Sequence, residues 1–261
     1  MDRLNLILGA ISGDVIGSAY EWNNVKTTDF DIFGRSFEFT DDSVLTFATM
    51  DVLLNDKDYA ETYQQYARKY PGRGYGGRFK SWINSDNPKP YNSWGNGSAM
   101  RVSPVGWACN TIEEVMAEAG RSAEVTHNHP EGIKGAQAAA VAVFMARTGG
   151  SKDDIKNFIS ETFEYDLNRK IDDIRPRFRF DESCQGTVPE SIIAFLESSD
   201  YETSIKLAIS LGGDSDTIAC ITGGIAEAFY KEIPMHIIDK VIQVLPPDIL
   251  DLINEFSQKY R

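Results

Sequence analysis

Apolar positions recur at helical spacing along almost the whole chain. Val44, Leu45, Ala48 and Val52 share one stripe, and Thr40 stands where it would cap that helix. The same spacing predicts helices over 2–20, 58–69, 77–84, 111–124, 131–147, 151–163, 188–198, 201–211, 217–230, 235–244 and 247–258. Two segments, EGIKGAQAAAVAVFMART and TIACITGGIAEAFY, are small and apolar nearly all round, which predicts central helices. Strand signals are scarce: RPRFRF at 175–180 alternates but is short. The expected fold class is all-α, in a single domain over 1–261.

Gly9, Gly13 and Gly17 are spaced i, i+4 on the first helix. Each weakens the helix by ~1 kcal/mol relative to alanine, so close packing or function must compensate. Asp14 and Glu21 lie two turns apart and could share a side. Residues 71–104 form a long stretch rich in Gly, Pro, Asn and Trp, with a short helix inside it. Long loops in a compact domain are usually functional.

Composition changes this picture in two ways. The chain carries 39 acidic and 26 basic residues, a net charge of −13. General nucleic-acid binding is therefore not expected, because phosphate neutralisation needs Lys and Arg. An anionic ligand would have to be held by metal ions, helix N-termini or backbone N–H groups. The three cysteines, Cys109, Cys184 and Cys220, are scattered and form no CxxC, which fits a reducing, cytoplasmic setting. No apolar run approaches the ~20 residues of a membrane span, and LNLILGAI reads as the start of a core helix. Neither GxGxxG nor GxxxxGK[ST] occurs.

The chemistry concentrates in two acidic clusters. FTDDSVLT holds Thr40, Asp41, Asp42 and Ser43; LGGDSDTIAC holds Asp214, Ser215, Asp216 and Thr217. Each stands at the start of a predicted helix. Taken singly, each reads as an ordinary N-cap. Taken as a pair, each followed by a buried small-residue helix, they read as ligands of one or two divalent cations. The helix dipole favours a carboxylate by roughly 0.3–1 kcal/mol, too little to gather four of them unaided. All the donors are oxygens, which suits Mg²⁺, Mn²⁺ or Ca²⁺ rather than zinc.

Other motifs are weaker alone. SWGNGSAMR, 93–101, could present backbone N–H groups at Gly95 and Gly97 and stack Trp94 on a base, or be a plain turn. RGYGGRF, 73–79, is similar. THNHP, 126–130, holds two of three histidines; ligand contact or loop structure is preferred to metal binding there.

Taken in order, GAISGDVIGSAYE, FTDDSVLT, RGYGGRF, SWGNGSAMR, THNHPEGIKGAQAAA, SCQGTVPESI and LGGDSDTIACITGGIAEA resemble the ADP-ribosylglycohydrolase family over nearly the whole chain. The paired TDD and DSDT motifs are the specific part. The resemblance implies a compact orthogonal helical bundle with a binuclear Mg²⁺ or Mn²⁺ site. It implies metal ligation by Thr40, Asp41, Asp42, Asp214, Asp216 and Thr217, with Asp14 supporting them from behind. It places Glu21 near the scissile linkage and Asp41, Asp42 and Asp216 among the catalytic groups. It implies adenine stacking by Trp94, diphosphate contacts from Ser93, Gly95, Asn96 and Gly97, phosphate and ribose contacts from Gly74, Gly76 and Gly77, and a nucleotide contact from His127. Ser43 stands where many members have threonine; the hydroxyl is kept.

The implied activity is metal-dependent hydrolysis of the C1″ N- or O-glycosidic bond, releasing ADP-ribose from an ADP-ribosylated protein or a small-molecule conjugate. A non-catalytic ADP-ribose-binding module and a phosphohydrolase acting on the diphosphate are the alternatives. The acceptor stays open among arginine, serine, O-acetyl-ADP-ribose, poly-ADP-ribose and modified nucleic acid, Glu21 slightly favouring O-linked substrates by resemblance. The expected state is a monomer with no membrane partner.

Overall fold

The computed structural model describes residues 5–261. Fourteen α-helices form among the described residues. The first half runs α1 Gly9–Gly17, α2 Asp41–Asn55, α3 Tyr59–Lys69, α4 Gly77–Ile83, α5 Ser103–Ala108, α6 Ile112–Glu124 and α7 Pro130–Arg147. The second runs α8 Lys152–Phe163, α9 Ile171–Ile174, α10 Cys184–Glu197, α11 Tyr201–Ser210, α12 Ser215–Tyr230, α13 Met235–Val244 and α14 Pro247–Tyr260. No strand forms among the described residues; one isolated antiparallel bridge joins Gly95 to Ser183.

α12 and α1 are the axis of the molecule. Every residue of α1 is buried, and so is every residue of α12 from Ser215 to Ala228. Their backbones touch along the glycine stripe. A Cβ on Gly13 would collide with the backbone of Ala219, and one on Gly17 would lie 2.5 Å from the Cα of Asp216. The stripe therefore exchanges helix propensity for close approach. That approach brings Asp14 of α1 alongside Asp216 of α12. The alanine-rich α7 packs beside α12, α6, α5 and α10, as its all-round apolar surface requires.

The elements depart from expectation in several places. The first helix starts at Gly9 rather than residue 2, where buried Glu227 accepts from the N–H groups of Leu8 and Gly9. Its predicted start at residues 2–4 lies outside the described residues. It stops at Gly17, so Glu21 stands in a turn beyond it. RPRFRF forms no strand: Arg175 and Phe178 donate back to Ile171 and Ile174 and close the turn after α9. α10 starts at Cys184, four residues before the expected start. Pro189 sits inside it, and the Ser183 side chain caps it by accepting from Gly186 N–H. The short α5 and α9 were not foreseen. The 71–104 stretch holds α4, as expected, and a 3-10 turn at Asn96–Ser98.

Candidate metal and ligand site

Thr40 does cap α2: its hydroxyl accepts from Asp42 N–H at 3.3 Å. Asp214 occupies the N-cap position of α12 but makes no side-chain cap bond. Its carboxylate instead accepts from Asn96 Nδ2 at 2.6 Å. Capping thus accounts for the threonine and not for the aspartates. The two clusters meet directly, since Thr217 Oγ1 donates to Asp42 Oδ2 at 3.3 Å.

Five carboxylates converge into two overlapping groups. Asp14, Asp42 and Asp216 each place one oxygen within 4.8 Å of the others, and so do Glu21, Asp214 and Asp216. Asp216 belongs to both groups, and all except Glu21 are buried. Asp14 also works from behind: it accepts from Thr40 N at 2.9 Å, Thr40 Oγ1 at 2.6 Å, Ser43 N at 3.1 Å and the Ser43 hydroxyl. Asp41 stands apart from both triads. Its N–H donates to Arg73 C=O at 2.7 Å, and its carboxylate faces Gly74, 2.9 Å from where a Cβ would be.

The electrostatics follow from burial. Burial, then hydrogen bonds that partly offset it, leaves Asp14 at about 6. Burial, then Asp214 and Asp14, raises Glu21 to about 7. Burial, with Asp14 the first of the charges, raises Asp41 to about 8. Burial and neighbouring carboxylates push Asp42 and Asp216 well above the usual range, and burial raises Asp214 despite the Asn96 bond. Two like charges 4 Å apart repel by about 4 kcal/mol at an effective dielectric near 20. Helix dipoles offset at most ~1 kcal/mol per charge. A bound cation resolves that mismatch, and the residues fit one. Every donor is a hard oxygen, and Asp42 Oδ1 is buried with no hydrogen-bond partner among the described residues.

A cavity of about 400 Å³ opens over these carboxylates. Its floor holds Thr40, Asp41, Asp42, Asp214, Asp216 and Thr217, with Glu21 at one side. Gly74, Gly76 and Gly77 form one wall; a Cβ on Gly76 or Gly77 would meet nothing within 4 Å. Ser93, Gly95, Asn96, Gly97 and His127 form another. Two N–H groups of that loop are committed inside the protein: Gly95 donates to Ser93 Oγ at 3.1 Å, and Asn96 to Glu182 C=O at 2.7 Å. Trp94 does not line the cavity. It is half exposed and packs edge-on against His129, 5.5 Å between ring centres. His129 in turn caps α7.

The reading of the sequence missed several lining residues: Trp22, Arg78, Phe79, Tyr91, Arg101, Phe180 and Glu182. Arg78, Phe79, Tyr91 and Arg101 lie inside the 71–104 stretch, and Trp22 adjoins Glu21, so position along the chain was the available signal. Phe180 and Glu182 lie more than 150 residues from Glu21, and nothing local marks them.

The ADP-ribosylglycohydrolase family model matches residues 3–261. ADP-ribosylhydrolase ARH3 of Homo sapiens is 29% identical, over 86% of this chain and 84% of its own. Putative ADP-ribosyl glycohydrolase L543 of Acanthamoeba polyphaga mimivirus is 28% identical, over 91% and 90%. A solved structure described as an ADP-ribosylglycohydrolase-related protein complex shares the fold with a TM-score of 0.75 at 21% identity, covering 98% of this chain and 97% of that one. Both acidic clusters lie inside the matched span, and the chain belongs to the ADP-ribosylglycohydrolase family, hydrolases of glycosidic bonds.

Proposed function

We propose that the chain hydrolyses the C1″ N- or O-glycosidic bond between ADP-ribose and an acceptor, with two Mg²⁺ or Mn²⁺ ions in the carboxylate groups. The observation that carries this reading is the pair of triads sharing Asp216, of which Glu21, Asp42, Asp214 and Asp216 line a cavity together with Gly74, Gly76 and Gly77. Asp14, Asp42 and Asp216 would hold one ion; Glu21, Asp214 and Asp216 the other. When bound, the ions would orient ribose hydroxyls and supply an activated water.

The remaining work falls to the chain itself. Asn96 fixes Asp214 by its 2.6 Å bond, and Thr217 donates to Asp42. Breaking the bond builds positive charge on the ribose ring, and the buried carboxylates stabilise it. Glu21 borders the cavity beside the second triad, so its carboxylate is placed to exchange a proton with the leaving atom or the attacking water. Asp41 faces the Gly74 wall and would contact the sugar side of the ligand. The Ser93–Gly97 loop, His127 and the open wall at Gly76 and Gly77 would take the diphosphate and its ribose.

The test is a release assay on arginine-linked and serine-linked ADP-ribosyl peptides, with Mg²⁺ and with chelator. Metal-dependent release of free ADP-ribose, lost in an Asp41→Ala, Asp216→Ala double variant, is the expected result. Release of AMP would indicate attack on the diphosphate. Tight ADP-ribose binding with no release from any acceptor would indicate a reader.

A further inference from the structure

The SWGNGSAMR loop ends on Arg101, which is fully buried and borders the cavity. Its guanidinium lies over the Tyr63 ring, 4.3 Å from the centroid. Nη2 donates to Ser122 C=O at 2.7 Å and to Thr126 Oγ1 at 3.0 Å. Nε and Nη1 have no partner among the described residues. Thr126 Oγ1 lies 2.7 Å from His127 Nδ1, and both residues are buried. The far nitrogen, Nε2, faces the glycine loop: a Cβ on Gly97 would lie 3.1 Å from it.

A proton count assigns the tautomer. The Thr126 hydroxyl carries one hydrogen and already accepts from Arg101. If Nδ1 were protonated, two donors would converge on that oxygen. The hydroxyl hydrogen would then be left without an acceptor in a buried place, which native structures avoid. If the hydroxyl donates to Nδ1, both the hydroxyl hydrogen and Nδ1 are satisfied and the ring proton sits on Nε2. Protonation of both nitrogens is opposed by burial and then by the Arg101 charge, which push His127 well below its usual range.

We propose that Arg101 and Thr126 are positioning residues that hold the His127 proton on Nε2, so that one fixed N–H donor faces the Gly95–Gly97 loop for an anionic oxygen of the ligand. The proposal rests on the reading that this loop takes the diphosphate of ADP-ribose. It gives the loop a donor where the N–H groups of Gly95 and Asn96 are already committed. It also gives the buried charge of Arg101 a purpose in a chain of net charge −13: beside the cavity, it biases the relay and the pocket toward anions.

The tautomer can be read directly by long-range ¹H–¹⁵N NMR of the imidazole rings in the full chain with Mg²⁺. Three histidines give an assignable spectrum, with His127→Gln identifying the signal. The expected wild-type result is a protonated Nε2 and an unprotonated Nδ1. Thr126→Val should shift His127 toward the other tautomer and raise the Kd for ADP-ribose about tenfold, the usual scale for one hydrogen bond to a charged group. Thr126→Ser should restore both. A wild-type proton on Nδ1 overturns the relay without any variant. So does a folded Thr126→Val protein with unchanged tautomer and Kd. A wild-type protein with the expected tautomer but no affinity for ADP-ribose supports the relay and refutes the ligand assigned to the loop.

Discussion

Gly13→Ala sets two effects against each other. In a helix interior, alanine is favoured over glycine by ~1 kcal/mol. Sequence reasoning on α1 alone therefore expects a more stable protein. The packing says otherwise. The new Cβ would lie 2.5 Å from Ala219 C and 2.9 Å from Cys220 N, and nearer still to the Ala219 carbonyl oxygen. Ordinary contact begins at 3.4 Å. These are backbone atoms of a buried helix, so they cannot rotate away, and α1 and α12 must part by about 1 Å. A gap of that size forfeits a quarter to a half of each contact across it. Overpacking costs ~1–3 kcal/mol, and a backbone clash belongs at the upper end. Net of the propensity gain, we expect destabilisation of about 2 kcal/mol, a fall in Tm of roughly 5 °C. Asp14 adjoins residue 13, so Mn²⁺ affinity should weaken as well. Urea unfolding gives the first quantity and an electron paramagnetic resonance titration the second. Gly120→Ala is the internal control. It sits in α6 with no atom within 3.7 Å of the new Cβ, and should stabilise by up to ~1 kcal/mol. Equal or raised stability of Gly13→Ala would refute the close-approach account of the stripe.

Two further outcomes follow from buried charge. Asp14, Glu21 and Asp41 are raised to about 6, 7 and 8 from ordinary values near 4. The folded state therefore binds more protons than the unfolded state between about pH 4 and 8, and these groups cost stability as pH rises. Divalent cation takes the protons' place, so the Tm difference between Mg²⁺ and chelator should grow from pH 5 to pH 8; a flat difference by calorimetry would contradict the site. Separately, Arg261 Nη1 lies 2.6 Å from Glu227, which is 1% exposed and holds the start of α1. Arg261→Ala leaves that carboxylate buried and unpaired, and should cost about 3 kcal/mol in urea unfolding; a loss under 0.5 kcal/mol would show that the bonds from Leu8 and Gly9 suffice.

What the sequence determined was local. The i, i+4 glycines, the Thr40 cap and the apolar alanine helix are short-range patterns, and each reappears in the structure as a contact of the expected kind. The oxygen-only donor set was legible for the same reason, because ligand chemistry is a property of side chains. The alternation in RPRFRF, too short to predict a strand, closes the turn after α9. Tertiary structure decided what depends on distance. It took Asp214 away from capping, by giving its carboxylate to Asn96 instead of its own helix. It set Asp41 apart from the two triads and made Asp216 common to both. It brought Phe180 and Glu182 to a cavity begun by residue 21, and packed Trp94 against His129 instead. The physical reason is that hydrogen bonding within a helix is written in neighbouring residues. The meeting of α1 with α12, some 200 residues apart, is written only in how the helices pack.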